Sequence, residues 1–213
     1  IEKGKLTAIV GESGSGKSTI GQILQRFYNF ENGTITINNQ YQLSEIELKS
    51  YRKLIGVVPQ EISIFNGNVI DNILLGSNDS PANIIAFITE YGFDTYFNQL
   101  PQGLTTIIGE EGINLSGGQK QIIALARVLY KKPQLLILDE ATSAMDRNTE
   151  NFSMALLAKI KPNCAVFFIS HRLNTLKKIA DRIYVLENGT LSTKGNHEEL
   201  METANFYSDY WQD

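Results

Sequence analysis

Four short stretches carry side chains whose types and spacing could do chemistry. Gly11-Glu12-Ser13-Gly14-Ser15-Gly16-Lys17-Ser18-Thr19 fits G-x-x-x-x-G-K-[ST] at every fixed position. Glycines let a backbone wrap so closely that consecutive N–H groups point at phosphate oxygens, and a following helix aims its positive end at the same anion. Lys17 can then reach β- and γ-phosphates, and the Ser18 hydroxyl can ligate Mg²⁺. "LLILDE" ends an apolar run in two acids. Asp139 suits a metal, and Glu140 can polarise a water for attack on phosphorus. His171 closes "FFISH" and could hold Glu140 and the water in line; Gln60 follows "GVVP" and can reach a metal or a water. Standing alone, each of the last three would read as an ordinary strand-end polar residue.

These groups need elements to hold them. Leu6–Val10 is an apolar run of strand length, and Ile20, Ile23, Leu24 and Phe27 follow the loop at helical spacing. Asn32-Gly33 signals a turn before "TITIN", which alternates as a strand does. "IGVVPQ", "PQLLILDEA" and "NCAVFFISH" read as further strands, and Ile70 to Tyr130 is mostly helical in pattern, broken at "LPQGL" and "GEEGINLSGG". "DRIYVLENGTLSTKG" reads as a hairpin turning at Asn188-Gly189. The tail from His197 is predicted helical, with Asn196 and Glu199 forming a capping box. Continuous apolar strands separated by helices imply a mostly parallel sheet covered on both faces, with polar residues gathered at the carboxyl ends where ligands bind.

Composition narrows the class. The chain has 213 residues, 42% of them hydrophobic, enough for one domain with a real core. The formal charge of −4 argues against a nucleic-acid partner. The one cysteine, Cys164, beside "AVFF", reads as a small buried apolar residue and excludes an intrachain disulfide. No apolar run approaches the ~18–20 residues of a membrane span.

"LSGGQ", Leu115–Gln119, makes the pattern specific. Phosphate loop, glutamine, LSGGQ, acid pair and histidine, in this order, resemble the nucleotide-binding domain of ATP-binding cassette transporters, over essentially the whole chain. The resemblance implies an α/β fold: a P-loop NTPase, RecA-like core (about 1–65 and 132–213) with an antiparallel β part and an inserted α-helical sub-lobe (about 66–131). It implies an ATPase with ATP and Mg²⁺, the metal near Ser18, Gln60 and Asp139. Catalysis would fall to Glu140, His171 and Gln60. It also implies a head-to-tail, ATP-dependent dimer, in which Ser116, Gly117, Gly118 and Gln119 of one copy close on the nucleotide held by residues 11–19 of the other. The residues themselves suggest the same for LSGGQ: serine, glycine backbone and helix N-terminus form a second anion cradle.

Ser143-Ala144-Met145-Asp146 sits where the family often has S-A-L-D, which gives Asp146 a part in communication across the dimer. "TIIGEEG" is similar to the exporter segment often written with G-E-R-G, with Glu111 in place of the arginine; Ile122 likewise replaces a common arginine. Overall likeness points to exporters of peptides and bacteriocins, with lipid or drug exporters and a soluble cassette ATPase as alternatives. Repair-type cassettes insert a long coiled coil before LSGGQ, and sustained heptads are lacking here. The family's adenine-stacking aromatic precedes the first strand, upstream of Ile1. The expectation is therefore a C-terminal piece of a longer protein, with membrane helices upstream or on a separate subunit, working at the cytoplasmic face of the cell membrane. Phe65 and Gln60 would pass closure to those helices.

Overall fold

The structure is a computed structural model that describes residues 1–77 and 79–211. In chain order the elements are β1 (Leu6–Val10), α1 (Lys17–Leu24), β2 (Thr36–Ile37), β3 (Tyr41–Gln42), α2 (Leu48–Lys53), β4 (Ile55–Val58), β5 (Gly67–Asn68), α3 (Val69–Leu74), α4 (Pro81–Tyr91), α5 (Asp94–Phe97), β6 (Ile107–Ile108), α6 (Gly117–Tyr130), β7 (Leu135–Asp139), α7 (Arg147–Ile160), β8 (Ala165–Ile169), α8 (Leu173–Ile179), β9 (Arg182–Glu187), β10 (Thr190–Gly195), α9 (His197–Met201) and α10 (Phe206–Asp209).

Six strands form one sheet in the order β10-β9-β1-β8-β7-β4. Every neighbouring pair is parallel except β9 with β10. The central strands are almost wholly apolar because both faces are covered. Side chains alternate: Ile9, Ile137, Phe167 and Ile169 pack under Ile20 and Leu24 of α1. Ala8, Val10, Leu136, Leu138, Val166 and Phe168 join the larger core with α3, α4, α6 and α7. This is the expected mixed α/β fold with a parallel-rich sheet.

The register positions the chemistry. Ile9 of β1 lies opposite Ile169 of β8, and Ile169 lies opposite Asp139 of β7. The residues that follow these strands, Gly11, Glu140 and His171, therefore emerge side by side at one sheet edge. Helices α3 to α6, with the short β5 and β6, fill the stretch between β4 and β7, and the Phe87 ring contacts those of Tyr91, Phe93 and Tyr130.

Three expectations need correction. The first helix stops at Leu24, and Phe27 is 59% exposed. Arg26 takes a left-handed φ of 56°, its N–H bonding Ile23 O at 2.9 Å while Phe27 N–H reaches Gln22 O at 3.0 Å, a Schellman ending. The Arg26 guanidinium also reaches the Ile46 carbonyl, a tertiary bond that a periodicity count cannot register. Second, "TITIN" pairs only at Thr36–Ile37, against Tyr41–Gln42, and the hairpin turns at Asn38-Asn39 with φ of 54° and 55°. Positive φ at both central residues is the turn that matches strand twist, and asparagine tolerates it. Third, the C-terminal helix is two helices, because Asn205 caps a fresh start with its own capping box. The β9–β10 hairpin turns where predicted, with Asn188 and Gly189 at φ 49° and 75°. Asn196 and Glu199 make the expected box.

Candidate functional site

The loop after β1 wraps tightly. Gly11 has φ 152°, and a Cβ there would lie 2.1 Å from the Leu186 carbonyl, so no side chain fits. Gly16, at φ 103°, is the N-cap of α1, which has neither a side-chain cap nor an acid in its first turn. Its leading N–H groups are thus free to face an anion. Glu12, Ser13, Ser18 and Thr19 turn their side chains outward, while Ser15 and Lys17 are buried. Lys17 Nζ folds over the loop, donating to Gly11 O at 2.9 Å and Glu12 O at 2.6 Å, with Ser15 Oγ at 3.5 Å. Burial lowers its pKa, against the pull of the Glu140 and Asp139 carboxylates, which favour the cation.

The acids sit at the next strand end. Ser18 Oγ donates to Asp139 Oδ1 at 3.5 Å. The Asp139 carboxyl is pushed above its ordinary value, first by burial and then by its neighbour Glu140. Glu140 is gripped on both oxygens: Gln60 Nε2 donates to Oε2 at 2.9 Å, and His171 Nε2 lies 3.0 Å from Oε1. Its φ is 50°, unusual for a residue with a Cβ, and its N–H bonds Ile169 O at 2.9 Å. Strain of this kind persists where surroundings enforce it. All three catalytic candidates are thus brought together, beside Lys17, Ser18 and Asp139.

No group of three or more His, Cys, Asp and Glu converges as a self-sufficient metal cage among the described residues. Mg²⁺ takes one or two carboxylates and completes its shell with phosphate oxygens and water. The Ser18 hydroxyl and Asp139 carboxylate are the donor types it needs.

The LSGGQ residues open a different helix, α6. Among the described residues no hydrogen bond joins Ser116–Gln119 to Gly11–Thr19. Ser116 caps α6, its Oγ accepting Gln119 N–H at 3.2 Å while Gln119 Oε1 accepts Ser116 N–H at 2.8 Å. The Gly117 and Gly118 N–H groups lie in the first turn, which has no intrahelical acceptor for them. Gly117 is pressed on Ala144: a Cβ there would be 2.6 Å from the alanine methyl.

Sequence reasoning missed Gln121, two residues beyond LSGGQ and 2% exposed. Its Nε2 lies 3.4 Å from both Glu140 O and Ser143 Oγ. The available signal was a glutamine on the otherwise apolar face of helix α6. Arg127 was missed too. It donates to Asn72 O at 2.8 Å and Ser63 O at 3.2 Å and lies 5.5 Å over the Phe65 ring, bracing the segment after Gln60. Asn66 Oδ1 accepts Glu110 N–H at 2.6 Å, fastening that segment to "TIIGEEG". Asp146 caps α7 through Asn148 and Thr149 N–H, and these bonds keep its carboxyl below the usual range. Cys164 is buried, its thiol pushed up to about 11.

The ABC transporter family model matches residues 1–143. The chain belongs to the ABC transporter family. This cassette is an ATP-binding domain of exporter type, and such domains hydrolyse ATP. It is 46% identical over 202 residues to the alpha-hemolysin translocation ATP-binding protein HlyB of Escherichia coli O157:H7, covering 94% of this chain and 28% of that protein. To the ATP-dependent lipid A-core flippase of Legionella pneumophila it is 39% identical over 213 residues, covering 100% of this chain and 36% of the flippase. A solved bacterial Atm1-family ABC exporter with ATP bound superimposes with a TM-score of 0.90 at 38% identity, over 98% of the cassette and 37% of the exporter. The cassette thus spans 28–37% of the length of these proteins. Among the described residues no helix is long and apolar enough to cross a membrane.

Proposed function

We propose that the cassette powers export of a substrate across a membrane, with Glu140 as the base that activates the attacking water. The observation carrying this is the convergence of Gln60, Glu140 and His171 at the sheet edge that also holds Lys17, Ser18 and Asp139. Residues 11–19 cradle the phosphates and Lys17 neutralises them. Glu140 takes the water proton, while His171 and Gln60 fix its carboxylate. Ser18, Gln60 and Asp139 would hold Mg²⁺, which supplies neutralisation of the charge developing on the transferred phosphoryl group.

Two copies pair head to tail, so that Ser116–Gln119 of one close on the nucleotide of the other; a second helix N-terminus shaped as an anion cradle in the same chain supports this. Asp146 directly follows the Ala144–Met145 turn on which the glycine pair rests and relays the state of one site to the other. Residues 66–131 act as a helical sub-lobe, supported by the lack, among the described residues, of any main-sheet strand between Val58 and Leu135. Closure passes through the braced segment from Gln60 to Phe65 to a transmembrane partner, which places the cassette at the cytoplasmic face of the membrane. The cargo is a polypeptide, a reading supported by the likeness to HlyB. A lipid cargo is the second reading, supported by the likeness to the flippase.

His171→Ala in the full-length protein tests the site. We expect hydrolysis to fall at least about tenfold with nucleotide affinity kept; unchanged hydrolysis would remove His171 from the mechanism. ATPase stimulation by reconstituted polypeptide rather than lipid separates the cargo readings.

A further inference from the structure

Arg172 follows His171 directly and opens α8. Its Nη2 donates to two backbone carbonyls, Ser143 O at 2.9 Å and Met145 O at 3.3 Å. Its Nη1 donates to Glu150 Oε2 at 3.0 Å. Glu150's other oxygen accepts the Thr175 hydroxyl, which orients the carboxylate. A guanidinium can serve three acceptors in one plane, and an ammonium on a flexible stem cannot reproduce that fork.

The turn held this way, Ser143–Met145, is gripped from other sides as well. Met145 is 5% exposed and its Sδ lies 3.2 Å from the Ser153 Oγ. Ala144 is the surface on which Gly117 and Gly118 rest. One side chain therefore touches both the strand end that carries His171 to Glu140 and the turn that seats the N-terminus of α6. As an ion pair, Arg172–Glu150 is partly exposed, with side-chain exposures of 36% and 18%. Such pairs contribute little to stability, so the value of the arrangement lies in placement.

We propose that Arg172 is a positioning residue for ATP hydrolysis, locking the His171 strand end, the Ser143–Met145 turn and the Ser116–Gln119 helix start into one unit. This rests on the ATPase reading above. It gives the cassette a short mechanical path between its own hydrolytic carboxylate and the cradle it presents to a second copy.

The test compares Arg172→Lys and Glu150→Gln with wild type in the full-length protein. Three readouts are needed: kcat for ATP, affinity for a fluorescent ATP analogue, and melting midpoint. Arg172→Lys is expected to lower kcat about tenfold or more while affinity stays within about twofold and the midpoint within a few degrees. Glu150→Gln leaves both carbonyl bonds in place and is expected to keep most of the turnover. Wild-type kcat in Arg172→Lys would overturn the proposal. So would a joint loss of kcat, affinity and the folding transition, which marks a merely structural role, or a Glu150→Gln defect as large as that of Arg172→Lys. Absence of ATPase activity in the wild type would instead overturn the reading beneath it, and the proposal with it.

Discussion

Replacing Gly117 with alanine should open the joint between the LSGGQ helix and the Ser143–Met145 turn. The new methyl carbon would lie 2.6 Å from the Ala144 methyl. Carbon atoms pack at about 3.5–4.0 Å, so something must move by about 1 Å. Neither methyl has a rotamer to change, and the backbone must give. Overpacking of this kind costs about 1–3 kcal/mol. Alanine in place of glycine in a helix returns up to about 1 kcal/mol. The net loss is about 0–3 kcal/mol, or a fall in Tm of up to about 12 °C for a chain of this size. The effect on turnover should be larger, because a 1 Å misplacement of a positioning group can cost about a hundredfold. Gly118→Ala is the control: its Cβ would meet Ala144 O at 3.4 Å, close to ordinary contact. Thermal melting and steady-state ATPase assays of the two full-length variants decide the matter. Wild-type turnover in Gly117→Ala, or a greater defect in Gly118→Ala, would refute the reasoning.

Lys17→Ala removes a buried cation from the centre of the loop, and charge-assisted hydrogen bonds contribute about 1.5–3 kcal/mol. Nucleotide affinity should fall about 10- to 100-fold by fluorescent-nucleotide titration, and an unchanged Kd would contradict the cradle. Asp139 has its pKa raised, chiefly by burial. A carboxyl of that kind adds stability that is fully present below its unfolded value and is lost as pH rises through the folded one. Asp139→Asn should therefore raise the Tm of the nucleotide-free protein at pH 7 and flatten its dependence on acid pH, while lowering Mg²⁺-dependent hydrolysis about a hundredfold. A lower Tm at pH 7 would show that the carboxylate stabilises the fold instead.

Much of the site was legible because its chemistry is local. The phosphate loop is a contiguous run, and Asp139, Glu140 and His171 end or follow apolar strands whose ends can be read from composition alone. What could not be read depends on pairing at a distance. Nothing local says that β1 lies between β8 and β9, yet that order and its register bring Gly11, Glu140 and His171 to one edge. The two-residue strands β5 and β6 have too few side chains for a period and exist through Asn66 and its partners. Arg26 ends α1 through carbonyls some twenty residues ahead, which hydrophobic spacing cannot foresee. Gln121 and Arg172 act on backbone carbonyls, and a carbonyl leaves no mark on the sequence.

The central claim is that Glu140 is the base. Glutamine is close to isosteric with glutamate, and Gln60 and His171 can each reorient to meet an amide, so Glu140→Gln should fold and bind ATP. Single-turnover hydrolysis by the full-length Glu140→Gln protein, measured beside its ATP affinity, is the most direct test. The account predicts a fall of about 10²- to 10⁴-fold in the hydrolytic rate with affinity retained. A rate within about twofold of wild type would contradict it.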